Sequence, residues 1–312
     1  MKISLHLGAH RTASTVFQFY LRENAKALLG HRIGIWGPPR TRDGLLSGVV
    51  PVSGSGESPA AQFHTARTRI QQALDGARAK GLTHLVISDE NMIGASRRNL
   101  RDCALYCDLA ERMALFERAF AGRVSQMVLS IRSQESYWSS VAAFAVGRGH
   151  KLPDDAAVDR LVAAERHWRE VITDLASAMP GAVIKVLPYE IWGGLPECKL
   201  SLITGLENPP MQHAREWINR APSLPQLRQI LRDRGADLTR LTRGEGRWHP
   251  FDHGQTMALR EAYADDLFWL RAGAEGKATL IEKTRTGQMG ITPHRTMTER
   301  GQTDGIEERR LA

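Results

Sequence analysis

The chain has 312 residues, 42% hydrophobic and 24% charged, with a formal charge of +8. That length buries roughly three quarters of the unfolded surface and suits one large domain of ordinary soluble composition. No apolar run approaches the ~20 residues that span a bilayer, and Met1-Lys2 leads straight into structure without a signal-peptide pattern.

In chain order, Ile3 to Leu7 alternates apolar and polar residues up to Gly8, the pattern of a strand. Beyond Thr12 the period lengthens, and Val16/Phe17, Tyr20/Leu21 and Leu28/Leu29 mark an amphipathic helix. Ile33-Gly-Ile-Trp36 reads as a short strand broken by Gly37-Pro-Pro. Residues 43–60, rich in Gly, Ser and Pro, form a loop long enough to bind an acceptor or act as a lid. A helix is predicted over 60–80, a strand over 83–88 ending at Asp89-Glu90, a helix over 104–121, and a strand over 124–131 ending at Arg132. Helices over 134–146 and 154–178, a strand over 182–187 and mostly helical sequence to 274 follow. From Lys277 on, apolar periodicity fades into a polar, poorly ordered tail, residues 277–312.

Strands separated by helices predict a three-layer α/β/α domain over residues 1–276, with a central parallel sheet of the P-loop NTPase kind. Ligands on such sheets gather at the carboxyl ends of the strands, where Gly8, Glu90 and Arg132 fall. Cys103, Cys107 and Cys198 are odd and sparse, which fits a reducing, cytoplasmic compartment. The first two, four apart, read as buried thiols on one helix face; no His or Cys pair completes a metal site. The basic balance is compatible with nucleic acid, anionic membranes or a charged small ligand. No helix-turn-helix, zinc-finger or aromatic RNA-binding signature supports nucleic acid. Arginines from Arg215 to Arg247 read either as a solvated face or as part of a basic cleft for a charged ligand.

The loop Gly8-Ala-His-Arg-Thr-Ala-Ser-Thr15 joins strand to helix. Such a turn aims backbone N–H groups and the positive end of a helix dipole at one point, a site for phosphate-like oxyanions. Candidate ligands are Gly8, His10, Arg11, Thr12, Ala13, Ser14 and Thr15. In the nucleotide loop G-x-x-x-x-G-K-[ST] a lysine precedes the Mg²⁺-binding hydroxyl; here Ser14 takes that place and the charge lies at Arg11. Downstream, Arg132 at a strand end and Ser140 eight residues later can clamp a second phosphate between a guanidinium fork and a hydroxyl. The alternative for Arg132 is a surface ion pair, for instance with Glu135.

Together these two motifs resemble those of the bacterial sulfotransferases, in which an H-x-G-x-H-[KR]-T-x-[ST]-T-x-x-x-Q loop and an R-x₇-S pair hold 3′-phosphoadenosine-5′-phosphosulfate (PAPS). His6, Gly8, His10, Thr12, Thr15 and Gln18 match that pattern, while Arg11 replaces the usual lysine and Ala13 the usual glycine. Leu187-Pro-Tyr-Glu190 and Tyr263-Ala-Asp-Asp-Leu267 also look like segments common in that family. The resemblance implies transfer of a sulfuryl group to an acceptor hydroxyl, such as a glycan, lipid or small molecule, without a metal. Arg11 would stabilise the leaving oxygen and Glu90 would take the acceptor proton, with His10, His64 and Asp43 as rival bases. Two other readings share the scaffold. A nucleotide-dependent kinase would use Asp89-Glu90 to hold Mg²⁺, and a PAPS-fold binder would have lost catalysis.

Overall fold

A computed structural model describes residues 1–282; the rest of the expected polar tail lies outside the described residues. In the first half, β1 (Lys2–Gly8) leads into α1 (Ser14–Glu23) and α2 (Ala25–Gly30). Next come β2 (Ile33–Trp36), α3 (Pro38–Arg40) and a π turn (Thr41–Leu45). Then follow α4 (Pro59–Ala79), β3 (His84–Ser88), a 3₁₀ turn (Glu90–Ile93), α5 (Ser96–Asp102) and α6 (Leu109–Phe120). The second half holds β4 (Gln126–Ile131), α7 (Gln134–Gly147), α8 (Asp155–Val162), α9 (Trp168–Ala178) and β5 (Val183–Pro188). It closes with α10 (Tyr189–Trp192), α11 (Pro196–Thr204), α12 (Leu224–Asp233), α13 (His253–Arg271) and β6 (Thr279–Leu280).

The strands form one six-stranded sheet in the order β2-β3-β1-β4-β5-β6, every pairing parallel. Ile3, Leu5 and Leu7 of β1, with Leu85, Ile87, Met127 and Leu129, pack against α4, α6, α7 and α9. Val86, Val128 and Leu187 on the opposite face pack against α1 and α11 through Phe17, Tyr20, Leu21 and Leu200. The fold is a three-layer α/β/α sandwich with β1 near its centre. No helix among the described residues is long and apolar enough to cross a membrane.

Several predicted elements are divided where local polar chemistry outcompetes the helix. The first helix breaks at Asn24, whose amide donates to the Tyr20 and Gln212 carbonyls. Of the helix predicted over 104–121 only α6 forms: residues 104–108 turn, with Tyr106 in the left-handed region, and the unpredicted α5 ends just before them at a left-handed Cys103. Cys103 and Cys107 therefore share no helix face; Cys103 is half-buried and Cys107 exposed, contrary to the expected pair of buried thiols. The segment 154–178 divides into α8 and α9, the latter starting at a capping box of His167 and Glu170. Within the expected tail, β6 pairs with β5.

The alternation in β1 is that of a half-buried strand, yet both faces are covered. Beneath α1 and α11 the polar residues pair with one another. Ser4 Oγ meets His84 Nε2 at 2.8 Å, His6 Nδ1 meets Ser88 Oγ at 2.8 Å, and Lys199 Nζ donates to Ser130 Oγ at 3.3 Å. Burial pulls the Lys199 ammonium down to about 7, whereas an unfolded chain holds that proton to about 10.4. Between those values the unfolded state carries the extra proton, so stability rises with pH by up to about 1.4 kcal/mol per unit. His6, held well below its ordinary range by burial and then by Lys199, acts in the same sense at lower pH: stability falls as acid protonates the unfolded chain. Lys199→Met is expected to flatten the alkaline rise and to stabilise the protein near neutrality, as read from urea unfolding at stepped pH.

Candidate anion-binding site

The site forms where the sheet's central strands end. Gly8 closes β1 at φ +77°, and a Cβ there would lie 2.6 Å from Ser14 Oγ and 3.0 Å from Glu90 Cβ. Only glycine lets the chain turn this tightly beside β3. Arg11 and Ala13 also take left-handed conformations, at φ 62° and 63°, which cost a non-glycine residue roughly 1–2 kcal/mol each. The strain is held by two buried hydroxyls: Thr12 Oγ1 donates to the Ala9 carbonyl at 2.7 Å, and Ser14 Oγ to the same oxygen at 3.0 Å. The N-cap of α1 is Ala13, which has no polar side chain, and the hydroxyls on either side of it point back into the loop, so no side chain caps α1. Its first-turn N–H groups are left for a ligand.

Arg132 reaches this loop from the end of β4. It is 4% exposed, and its Nη1 donates to the Arg11 carbonyl at 3.1 Å. The guanidinium lies 4.5 Å over the Tyr189 ring, and the Trp168 indole N–H fixes the Arg132 carbonyl at 2.7 Å. Its Nε is buried with no hydrogen-bond partner. Burial lowers its pKa, yet a guanidinium stays protonated at neutral pH. No carboxylate among the described residues lies within ion-pair distance of it; Glu135, the alternative partner, pairs instead with Arg260 at 3.2 Å. A buried cation beside an open cleft, with no carboxylate in direct contact, suits an anion.

Ser140, on α7, accepts from Arg11 Nε at 3.0 Å. Arg11 also stacks 4.4 Å over Phe144 and donates through Nη1 to the Asn219 carbonyl at 3.1 Å. Burial, with the like charge of Arg132 next, pulls its pKa down to about 10. The two sequence motifs thus meet in space: Arg11, Arg132 and Ser140 form one basic cluster beside the turn. Arg11's fork faces this cluster rather than the middle of the loop.

His10 is locked. Its backbone N–H and Nδ1 both meet Tyr106 Oη, at 3.1 and 2.9 Å, and its Nε2 meets Asn91 Oδ1 at 3.1 Å. With Asn91 accepting, the proton sits on Nε2 and Nδ1 accepts from Tyr106. Burial keeps the ring neutral by lowering its pKa.

On the other side of the loop, Glu90 Oε2 accepts from Gln18 Nε2 at 2.6 Å and Oε1 pairs with Arg42 at 3.1 Å. Burial pushes its pKa up, but His10, Arg42 and its hydrogen bonds together hold it below the ordinary range. Asp89 is engaged as fully, accepting from Thr41 Oγ1 at 2.6 Å and from Arg42 Nη2 at 2.7 Å. Asp43 and His64 do not line the cleft.

The cleft encloses about 1290 Å³, and its described lining includes nine arginines but a single carboxylate, Glu90. No sequence motif marks Arg42, Arg148, Arg220 or Arg247 in that lining; only the arginine density of 215–247 hints at two of them. Asn219 is likewise unmarked, and it donates to Thr15 Oγ1 at 3.2 Å. Two of the other arginines also tie segments of the fold together, Arg234 while still exposed. Arg215 pairs with the fully buried Glu197 at 2.7 Å, and Arg234 donates to the Val146 carbonyl at 2.6 Å. The two low-specificity segments also touch, Tyr263 Oη donating to Glu190 Oε2 at 2.9 Å. Glu190 in turn accepts from the Ser133 N–H at 3.0 Å, beside Arg132.

No group of three or more His, Cys, Asp or Glu among the described residues is placed to hold a metal ion. Compared with family models, curated proteins and solved structures, the chain matches none of them.

Proposed function

We propose that the protein is a sulfotransferase that moves a sulfuryl group from PAPS to an acceptor hydroxyl. The observation that carries this reading is Arg132, a buried guanidinium with an orphaned Nε and no carboxylate partner, clasped to the very loop whose helix start is uncapped. Two anion grips side by side suit a donor with phosphates at both ends of one nucleoside. Arg132, Ser140 and Arg11 would hold the 3′-phosphate, and the N–H groups of Ala13 to Thr15 the phosphosulfate. PAPS supplies the sulfuryl group itself. The chain orients it, draws charge off the leaving oxygen through the loop amides, and accepts the acceptor's proton at Glu90. Arg11, turned toward Ser140, serves the phosphate grip more than the leaving oxygen.

A kinase reading is weaker on the residues themselves. Asp89, where a Mg²⁺-holding acid would sit, already pairs with Arg42 and Thr41. The three unpaired thiols fit a cytoplasmic enzyme. Calorimetry tests the donor: adenosine 3′,5′-bisphosphate is expected to bind without metal at least tenfold more tightly than ATP with Mg²⁺. Preference for ATP·Mg²⁺ would overturn the reading.

A further inference from the structure

Two arms leave the loop. One follows β4 and β5 to Arg132, Arg148 and Tyr189; the other follows β3 and β2 to Glu90, Arg42 and Arg40. On the donor reading, phosphates occupy the first arm, which leaves the second to the acceptor. We propose that this acceptor is anionic, a hydroxyl compound carrying carboxylate or sulfate groups of its own, of which an acidic saccharide is the form tested.

The charge balance of the second arm supports this. Arg42 is matched by Asp89 and Glu90, and Arg22 by Glu23 at 3.0 Å. Arg40 and Arg97 line the same cleft, are exposed, and have no carboxylate partner among the described residues. Arg40 is also pre-organised, its guanidinium lying 4.5 Å over the Trp36 ring. Held against the indole, its guanidinium can still donate to an oxyanion in the cleft. A neutral acceptor would leave both cations without use and would gain nothing from the stack.

The same charges could meet an anionic membrane, but the shape argues otherwise. Among the described residues the large exposed apolar side chains, Leu29, Val52 and Phe268 among them, lie outside the cleft lining, so none of these sits beside the arginines to enter acyl chains. The charges sit in a recess rather than on a prow.

The inference rests on the sulfotransferase reading, and the experiment separates the two. Binding of an oligogalacturonate, of its carboxyl-reduced neutral counterpart and of anionic phospholipid vesicles is measured at low salt with adenosine 3′,5′-bisphosphate present. The proteins compared are the parent and the R40A/R97A double variant, whose altered side chains are exposed. The parent is expected to prefer the acidic saccharide, and the variant to bind it about tenfold more weakly while binding the bisphosphate as before. Equal binding of acidic and neutral saccharides, or an undiminished variant, would overturn the proposal. So would vesicle binding that depends on Arg40 and Arg97 where saccharide binding does not. A parent that binds the oligogalacturonate through these arginines but not the bisphosphate would support the acidic-saccharide arm and sink the donor reading alone.

Discussion

Replacing Arg132 with methionine is expected to abolish bisphosphate binding while leaving the unliganded protein at least as stable as the parent. Arg132 is 4% exposed, its Nε lacks a partner, and no carboxylate among the described residues lies within ion-pair distance of it. Without ligand, its clasp on the Arg11 carbonyl is worth about 1 kcal/mol, against a desolvation penalty of several kcal/mol for the ion. Methionine fills similar space over Tyr189 without that penalty. With ligand the sign reverses, because removing one partner of a buried, hydrogen-bonded charge pair costs about 3–4 kcal/mol, two to three orders of magnitude in affinity. Thermal unfolding without nucleotide and calorimetry with it read the two halves separately. A variant that melts well below the parent would show that Arg132 holds the loop for its own sake.

How much of this site is legible in the sequence depends on how local its causes are. The β1–loop–α1 unit is legible because the apolar period changes at Gly8, and only a tight turn fits between a strand and a helix so close in sequence. Arg132 is legible because it ends an apolar run that has to be a buried strand. The contacts that complete the site are not, because they join residues far apart in the chain: Asn219 meets Arg11, and Arg42 meets Asp89 and Glu90. Nothing local marks such partners. The helix break at Asn24 escapes for the opposite reason: one side chain decides it, against a periodicity that runs straight through.

Glu90 carries the second large effect. Glu90→Gln is expected to lower kcat by about 10²- to 10⁴-fold and to leave bisphosphate affinity unchanged. The amide still reaches Gln18, and Arg42 stays anchored on Asp89 Oδ1 at 2.7 Å. Glu90 loses to burial but gains more from His10, Arg42 and Gln18, so its folded pKa lies below the ordinary carboxylate range. The carboxylate is therefore ionised at neutral pH, and the acid limb of kcat/KM should fall below that range, lost as pH drops through the folded pKa. The variant should lose that limb. A depressed pKa makes Glu90 a weaker base than an exposed glutamate, but its fixed place at the mouth of the loop offsets that loss through orientation. The opposing account gives Glu90 only the task of holding Arg42. Removing it would then raise KM for the acceptor, spare kcat and leave the acid limb in place, an outcome that a single pH–rate series on both proteins distinguishes.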